Sequence, residues 1–307
     1  MANYDIIIIG SGLAGLTAGL FSARQGLSTC VFESNIPGGH LISIEKIEDF
    51  PGFPDGVSGY EICPNLQRQA SDHGAEFERA EVVRLEARDK LWSVVTEEEN
   101  YHAKAVIVAT GSTLKHLGVP GEEKLMGRGV SHCASCDGPM YNEQTVGVVG
   151  GGDSALQEAL TLTNYAEKVL LFHQGDGFSA QQTYLQRVLD NPKIAPRYQT
   201  VIEEVLGDEV VTGVRTRDLR SGETSQVDLT GLFIYVGLQP NTSLFGNLIK
   251  LSEAGHAPTD NWMKTTREGL YAIGDIRQDS ARQAITSAGD GATAAIAACR
   301  YIKETFR

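Results

Sequence analysis

The chain has 307 residues, 41% of them apolar and 21% charged, which is long enough for two ordinary domains and too evenly mixed for a disordered or fibrous protein. Its 26 basic against 39 acidic side chains leave a net charge of −13, which argues against nucleic acid or an anionic membrane as the main partner. No run of about 18 apolar residues is available for a membrane span, and the opening MANYDIIIIG enters a strand pattern without a basic leader, so a cytoplasmic location is expected.

Residues 4–34, YDIIIIGSGLAGLTAGLFSARQGLSTCVFES, read as strand, glycine turn, helix and strand, with Gly10, Gly12 and Gly15 in the G-x-G-x-x-G frame. The first glycine permits a tight turn, the second lets backbone approach a pyrophosphate, and the third lets helix and strand pack closely. The phosphates would sit on the helix N-terminus. Glu33, at the end of the second strand, is placed to take the ribose hydroxyls of an adenine nucleotide.

AVIVATGS (105–112) reads as a buried strand ending in a glycine turn, and SHCASCDGPMY (131–141) follows with a C-x-x-C. Two thiols at this spacing close a small disulfide, and neighbouring charge tunes one of them toward the thiolate that attacks another disulfide. Asp137 places an acid beside Cys133 and Cys136 to give or take the proton of a departing thiolate. No metal site is expected: a zinc knuckle at the pair needs a second ligand pair, and Cys30, Cys63 and Cys299 stand isolated in or beside apolar segments, where an inert buried thiol is the usual explanation. His132 adjoins the pair and reads more readily as a surface or packing residue than as a proton carrier.

A second nucleotide-type unit begins at QTVGVVGGGDSALQEALTLTNYAEKVLLFHQ (144–174), with Gly150, Gly152 and Ala155 in the same frame. The offset from the first copy is 150 − 10 = 140, so Glu33 maps onto position 173, which is His173. The second site lacks the ribose-binding acid, and FHQGDGFSA (172–180) also lacks the arginines that would hold an NADPH 2′-phosphate. Downstream, GLYAIGDI (269–276) is a strand ending in Gly274 and Asp275, and SARQAITSAGDGATAAIAACRYIKETF forms the helix after it. The chain thus returns to its first domain. The expected fold class is α/β, with two Rossmann-like nucleotide-binding domains, one over 1–115 and 246–307 and the other, over 116–245, inserted into it.

From end to end the sequence resembles the low-molecular-weight, bacterial-type thioredoxin reductase family, within class II of the pyridine nucleotide-disulfide oxidoreductases. The stretches that carry the likeness are GSGLAGLTAG, PGGHLISIEKIEDFPGFPDGVSGYE, VIVATGS, GRGVSHCASCDGPMY, VVGGGDSALQEAL, FIYVGLQPNT and YAIGDI followed by RQAITSAGDG. The resemblance implies FAD in the first domain, on Gly10, Gly12, Ala14, Gly15, Glu33, Gly39, Gly274, Asp275, Arg282, Gln283 and Ala284. His40 stands where the family commonly has glutamine and Asp49 where asparagine is frequent, both within the implied flavin shell. By the same resemblance Cys136 faces the flavin, Cys133 attacks the partner's disulfide, Asp137 is the acid, and the protein is a homodimer acting on thioredoxin or a similar small redox protein.

The resemblance also implies NADPH in the inserted domain, at Gly150, Gly152, Asp153, Ser154 and Ala155, and here the residues depart from the family. Its His-Arg-Arg, with a third arginine four residues on, is replaced by His173, Gln174, Gly175 and Ser179. Each hydrogen bond to a charged group contributes roughly 1.5–3 kcal/mol, so losing two phosphate-binding arginine contacts among these three costs about 3–6 kcal/mol. That is on the order of 100- to 10,000-fold in affinity. NADPH is therefore doubtful as the donor, and NADH, helped by Asp176, a second flavin or reduced ferredoxin stand as alternatives. A dithiol oxidase that passes electrons to oxygen is the competing reaction class, although such relatives tend to carry histidine where this chain has Asp137. A flavin-binding redox sensor is the non-enzymatic reading, disfavoured by the intact cysteine pair and its acid.

Overall fold

The computed structural model describes residues 3–306; Met1, Ala2 and Arg307, which belong to the first domain expected from sequence, lie outside the described residues. Two compact units emerge, one from residues 1–113 and 239–307, the other from residues 114–238.

In the first unit the run of four isoleucines becomes the strand Asn3–Ile9, paired in parallel with Thr29–Phe32 on one side and Asn100–Val108 on the other. Side chains alternate across a strand, so a continuous apolar run is stable only when both faces are covered. Ile6 and Ile8 pack on one face with Ala14, Ala18, Ala294 and Ala298 from two helices, while Ile7 and Ile9 join Phe32, Trp92 and Val106 on the other. The strand Asn100–Val108 shares its far edge between two partners: its first half pairs antiparallel with Leu91–Thr96 and its second half in parallel with Leu270–Ala272. Strand ends from both parts of the chain thereby meet at one edge of one sheet. The helix Leu13–Arg24 follows the glycine turn, and the long helix Ala284–Thr305 packs against it. Gly291 permits that approach, since a Cβ there would lie 2.2 Å from the Ala14 carbonyl oxygen.

The second unit repeats the opening pattern. Strand Thr145–Val149, helix Asp153–Leu162 and strand Lys168–Phe172 keep the offset at the first strand's end, the helix start and the second strand's end: 149 − 9, 153 − 13 and 172 − 32 all equal 140. Its five-stranded sheet is parallel, in the spatial order Ile194–Arg197, Lys168–Phe172, Thr145–Val149, Gly231–Ile234, Val130–Ser131. An antiparallel three-stranded sheet (Thr200–Leu206, Gly213–Asp218, Thr224–Asp228) covers one side. Each unit is thus of the α/β class, its main sheet carrying parallel strands whose carboxyl ends are the usual place for a ligand.

Candidate functional site

At the carboxyl end of the first strand, Gly10 has φ of +100°, and a Cβ on it would lie 2.4 Å from the Ala109 carbonyl oxygen. At Gly15 a Cβ would meet the Gly10 carbonyl oxygen at 1.8 Å, so only glycine lets the helix start this close to the strand. Gly12 differs: a Cβ there would meet nothing within 4 Å. The space before the helix N-terminus is open, with no acidic side chain in the first turn, which suits a bound pyrophosphate.

Around this turn the expected flavin residues converge. The Glu33 carboxylate accepts hydrogen bonds from Ser11 N (2.9 Å), Ser11 Oγ (2.7 Å) and Asn35 N (2.9 Å), which hold it beside the glycines. Gly38 N donates to Ser11 O at 2.9 Å, and Gly39, with φ of +57°, comes so close to Gly12 that a Cβ on it would lie 3.2 Å from the Gly12 Cα. His40 Nε2 donates to the Ser112 carbonyl, and Ser112 Oγ donates to Asp275 Oδ2 at 3.2 Å. Gly274 (φ +70°) sits over the Ala14 methyl, and its N–H donates to the buried Asp290, which is ion-paired to Arg277 at 3.0 Å. Gln283 caps the helix beginning at Ala284 through a reciprocal box with Thr286, and Arg282 precedes it, exposed, with φ of +54°. Asp49 lies on the exposed turn that also carries Phe50 and Phe53. The glycine turn, Glu33 and the Gly274–Asp275 turn lie at the carboxyl ends of neighbouring strands, an arrangement that fits FAD.

In the second unit Cys133 and Cys136 form a disulfide with a Cα separation of 5.3 Å. Cys133 caps the short helix Ala134–Asp137: its sulfur accepts the Cys136 N–H at 3.3 Å and lies 3.4 Å from Ser135 Oγ. Those donors favour a negative charge on Cys133 once the bond opens. Ser131 Oγ accepts Cys133 N–H at 3.0 Å, while Ala134 N–H is held by Tyr235 Oη (3.2 Å) and Glu158 Oε2 (3.3 Å). Asp137 closes the same turn, its N–H donating to Cys133 O at 3.1 Å, and its charge adds to the burial that raises the Tyr141 hydroxyl above its ordinary range. Cys30, Cys63 and Cys299 are free and buried.

The second glycine turn keeps its shape but not its surroundings. Gly150 has φ of +147°, with Tyr235 O and the Ala155 methyl where a Cβ would be, and Gly152 again faces open space. His173 lies against Gly151, its ring atoms within 2.3–2.8 Å of where a Cβ would stand. The segment after it folds over the turn. Ser179 N–H donates to Gly151 O at 2.8 Å, and Gln181 donates to both Asp153 carboxylate oxygens, at 2.7 and 2.8 Å. His173 packs on Phe178, which packs on Tyr198. Asp153 is thus engaged by protein, Ser154 is exposed, and the aromatic run occupies the end of the strand where the first unit holds Glu33.

Several participants carried no individual signal in sequence. Ser11, Ser112, Arg277 and Asp290 around the first turn, and Tyr235 and Glu158 behind the cysteine pair, act through partners far away in the chain. Ser11, Ser112, Tyr235 and Asp290 lie inside GSGLAGLTAG, VIVATGS, FIYVGLQPNT and RQAITSAGDG, so the motifs located them without revealing their roles.

The sequence matches the pyridine nucleotide-disulphide oxidoreductase family over residues 4–291. A thioredoxin reductase from Treponema pallidum is 40% identical over 98% of this chain and 97% of its own length. A bifunctional thioredoxin reductase/thioredoxin from Mycobacterium leprae is 40% identical over 98% of this chain and 66% of its own. The crystal structure of Lactococcus lactis thioredoxin reductase in its FR conformation superposes with a TM-score of 0.96 at 37% identity, covering 98% of this chain and 99% of that one. The chain belongs to the pyridine nucleotide-disulphide oxidoreductase family, as a FAD-dependent disulfide reductase of the low-molecular-weight thioredoxin reductase type.

Proposed function

We propose that the chain reduces the disulfide of thioredoxin or a similar small redox protein through Cys133 and Cys136, drawing its electrons from a donor other than NADPH. When bound in the first unit, FAD supplies a two-electron reservoir. The Cys133–Cys136 disulfide takes up two electrons and two protons to become a dithiol. Cys133, favoured as thiolate by the Cys136 N–H, attacks one sulfur of the substrate disulfide and expels the other as thiolate, giving a mixed disulfide. Cys136 then attacks Cys133 Sγ, releasing the second substrate thiol and restoring the internal disulfide, with Asp137 moving the proton. The name of the M. leprae relative, which joins reductase and thioredoxin, supports a thioredoxin substrate. The family further suggests a homodimer.

The single observation that carries the choice of donor is the seat of His173 on Gly151, with Ser179 and Gln181 fastening the segment down where an NADPH enzyme needs arginines. Asp137, rather than histidine, favours a reductase over a dithiol oxidase. The deciding experiment is an anaerobic titration of the flavin-loaded protein with NADPH, NADH and reduced ferredoxin, following the flavin absorbance. Bleaching by ferredoxin or NADH, with none at micromolar NADPH, is expected; full bleaching at micromolar NADPH would reject the reading.

A further inference from the structure

Outside the cysteine pair, the second unit gathers another set of ligating groups. His116, Glu122 and His132 each present one ligand atom, and the three atoms lie within 4.8 Å of one another. Glu122 is only 2% exposed, and its carboxylate accepts the N–H groups of Leu117 (3.0 Å) and Gly118 (2.7 Å). These bonds fix the carboxylate while Oε2 keeps a further lone pair.

His132 supplies the independent observation. Its Nδ1 lies 2.9 Å from the Ile234 carbonyl oxygen, which only accepts, so Nδ1 carries the hydrogen and Nε2 of the neutral ring bears a lone pair. That Nε2 is buried and has no hydrogen-bond partner. Leaving such a buried acceptor unmet is unfavourable, and a backbone carbonyl on the far nitrogen is how metal-binding imidazoles are oriented. The His116 ring meets the His132 ring edge-on, with centroids 5.6 Å apart, and its Nδ1 donates to Glu122 Oε1 at 3.1 Å, a proton that a bound metal ion would displace. Two ligand atoms on one tetrahedral zinc stand about 3.3 Å apart. His116 is largely exposed, so its ring can turn to complete the set.

We infer that His116, Glu122 and His132 form a binding site for a divalent transition metal ion, zinc in particular, with three protein ligands and a fourth position for water. Two imidazoles and one carboxylate suit zinc, whereas calcium and magnesium require mostly oxygen ligands. Binding would tie the turn 116–122 to the strand that leads into Cys133.

The test uses full-length, flavin-loaded protein with the Cys133–Cys136 disulfide intact, stripped by a chelator and titrated with zinc chloride by calorimetry and against a chromogenic zinc chelator. One zinc per chain is expected. His116→Gln, at an exposed position, should lose stoichiometric binding while keeping the wild-type melting temperature in the absence of metal. Cys133→Ser/Cys136→Ser should retain it, which separates this site from thiol ligation. No binding by the oxidised protein, undiminished binding by His116→Gln, or loss of binding in the double serine variant would each overturn the assignment.

Discussion

At the level of single residues, what a side chain touches decides its chemistry more than its type does. Cys133 and Cys136 share a four-residue turn in which one sulfur already accepts the other's N–H, whereas Cys30 and Cys63 sit among apolar side chains. Burial pushes the Cys30 thiol up to about 12 and the Cys63 thiol up to about 11. Reduced native protein treated with iodoacetamide at pH 8 should therefore be labelled at Cys133 and Cys136 and spared at Cys30 and Cys63, as peptide mass spectrometry can show. Cys136→Ser should trap a stable mixed disulfide with an oxidised thioredoxin, and Cys133→Ser should trap none; both should lower turnover at least about 1,000-fold, since neither single thiol completes the exchange. The glycines divide in the same manner. Gly12→Val places its side chain in open space, so circular dichroism should stay that of wild type while FAD is lost from the purified protein. Gly15→Val should instead fail to fold, because its Cβ collides with the Gly10 carbonyl.

At the level of elements, the two strand–turn–helix–strand copies show how far local pattern reaches. The boundaries that flank the glycine turn, the end of the first strand and the start of the helix, keep one offset because the glycine spacing and the apolar runs are local properties of the chain. The sequence also revealed the lost acid at position 173, by arithmetic alone. It did not reveal that His173 lies on Gly151 or that Gln181 clasps Asp153, since these contacts join residues 22 and 28 positions apart and depend on the path of the intervening loop. Gln174→Arg combined with Gly175→Arg and Ser179→Arg should tighten NADPH binding on the order of 100-fold or more, judged from two restored charged hydrogen bonds. Fluorescence titration would measure it, and an unchanged dissociation constant would show that the clasped loop, rather than the missing arginines, closes the site.

For the whole molecule, the buried ionisable groups set a direction for stability against pH. Burial raises the Tyr235 and Tyr271 hydroxyls, as it does the Cys30 and Cys63 thiols, above the values of an unfolded chain, roughly 10 for tyrosine and 8.5 for cysteine. Above about pH 9 the native state therefore holds more protons than the unfolded one. Stability is fully present below that pH and falls as pH rises toward 11 to 12. A melting temperature that drops steadily from pH 8.5 to pH 11 is the expected result, and a flat one would contradict it. By itself the sequence determined the α/β class, the duplicated nucleotide turn and the redox pair, because each is written in spacing along a short stretch, and the family, because its motifs resemble this chain from end to end. Only the tertiary structure joined His40 to Ser112 and Asp275, set Tyr235 and Glu158 behind the cysteines, and brought His116, Glu122 and His132 together. The physical reason is that these groups approach one another only once strands distant in sequence have paired and buried their apolar faces, and nothing in local spacing encodes that geometry.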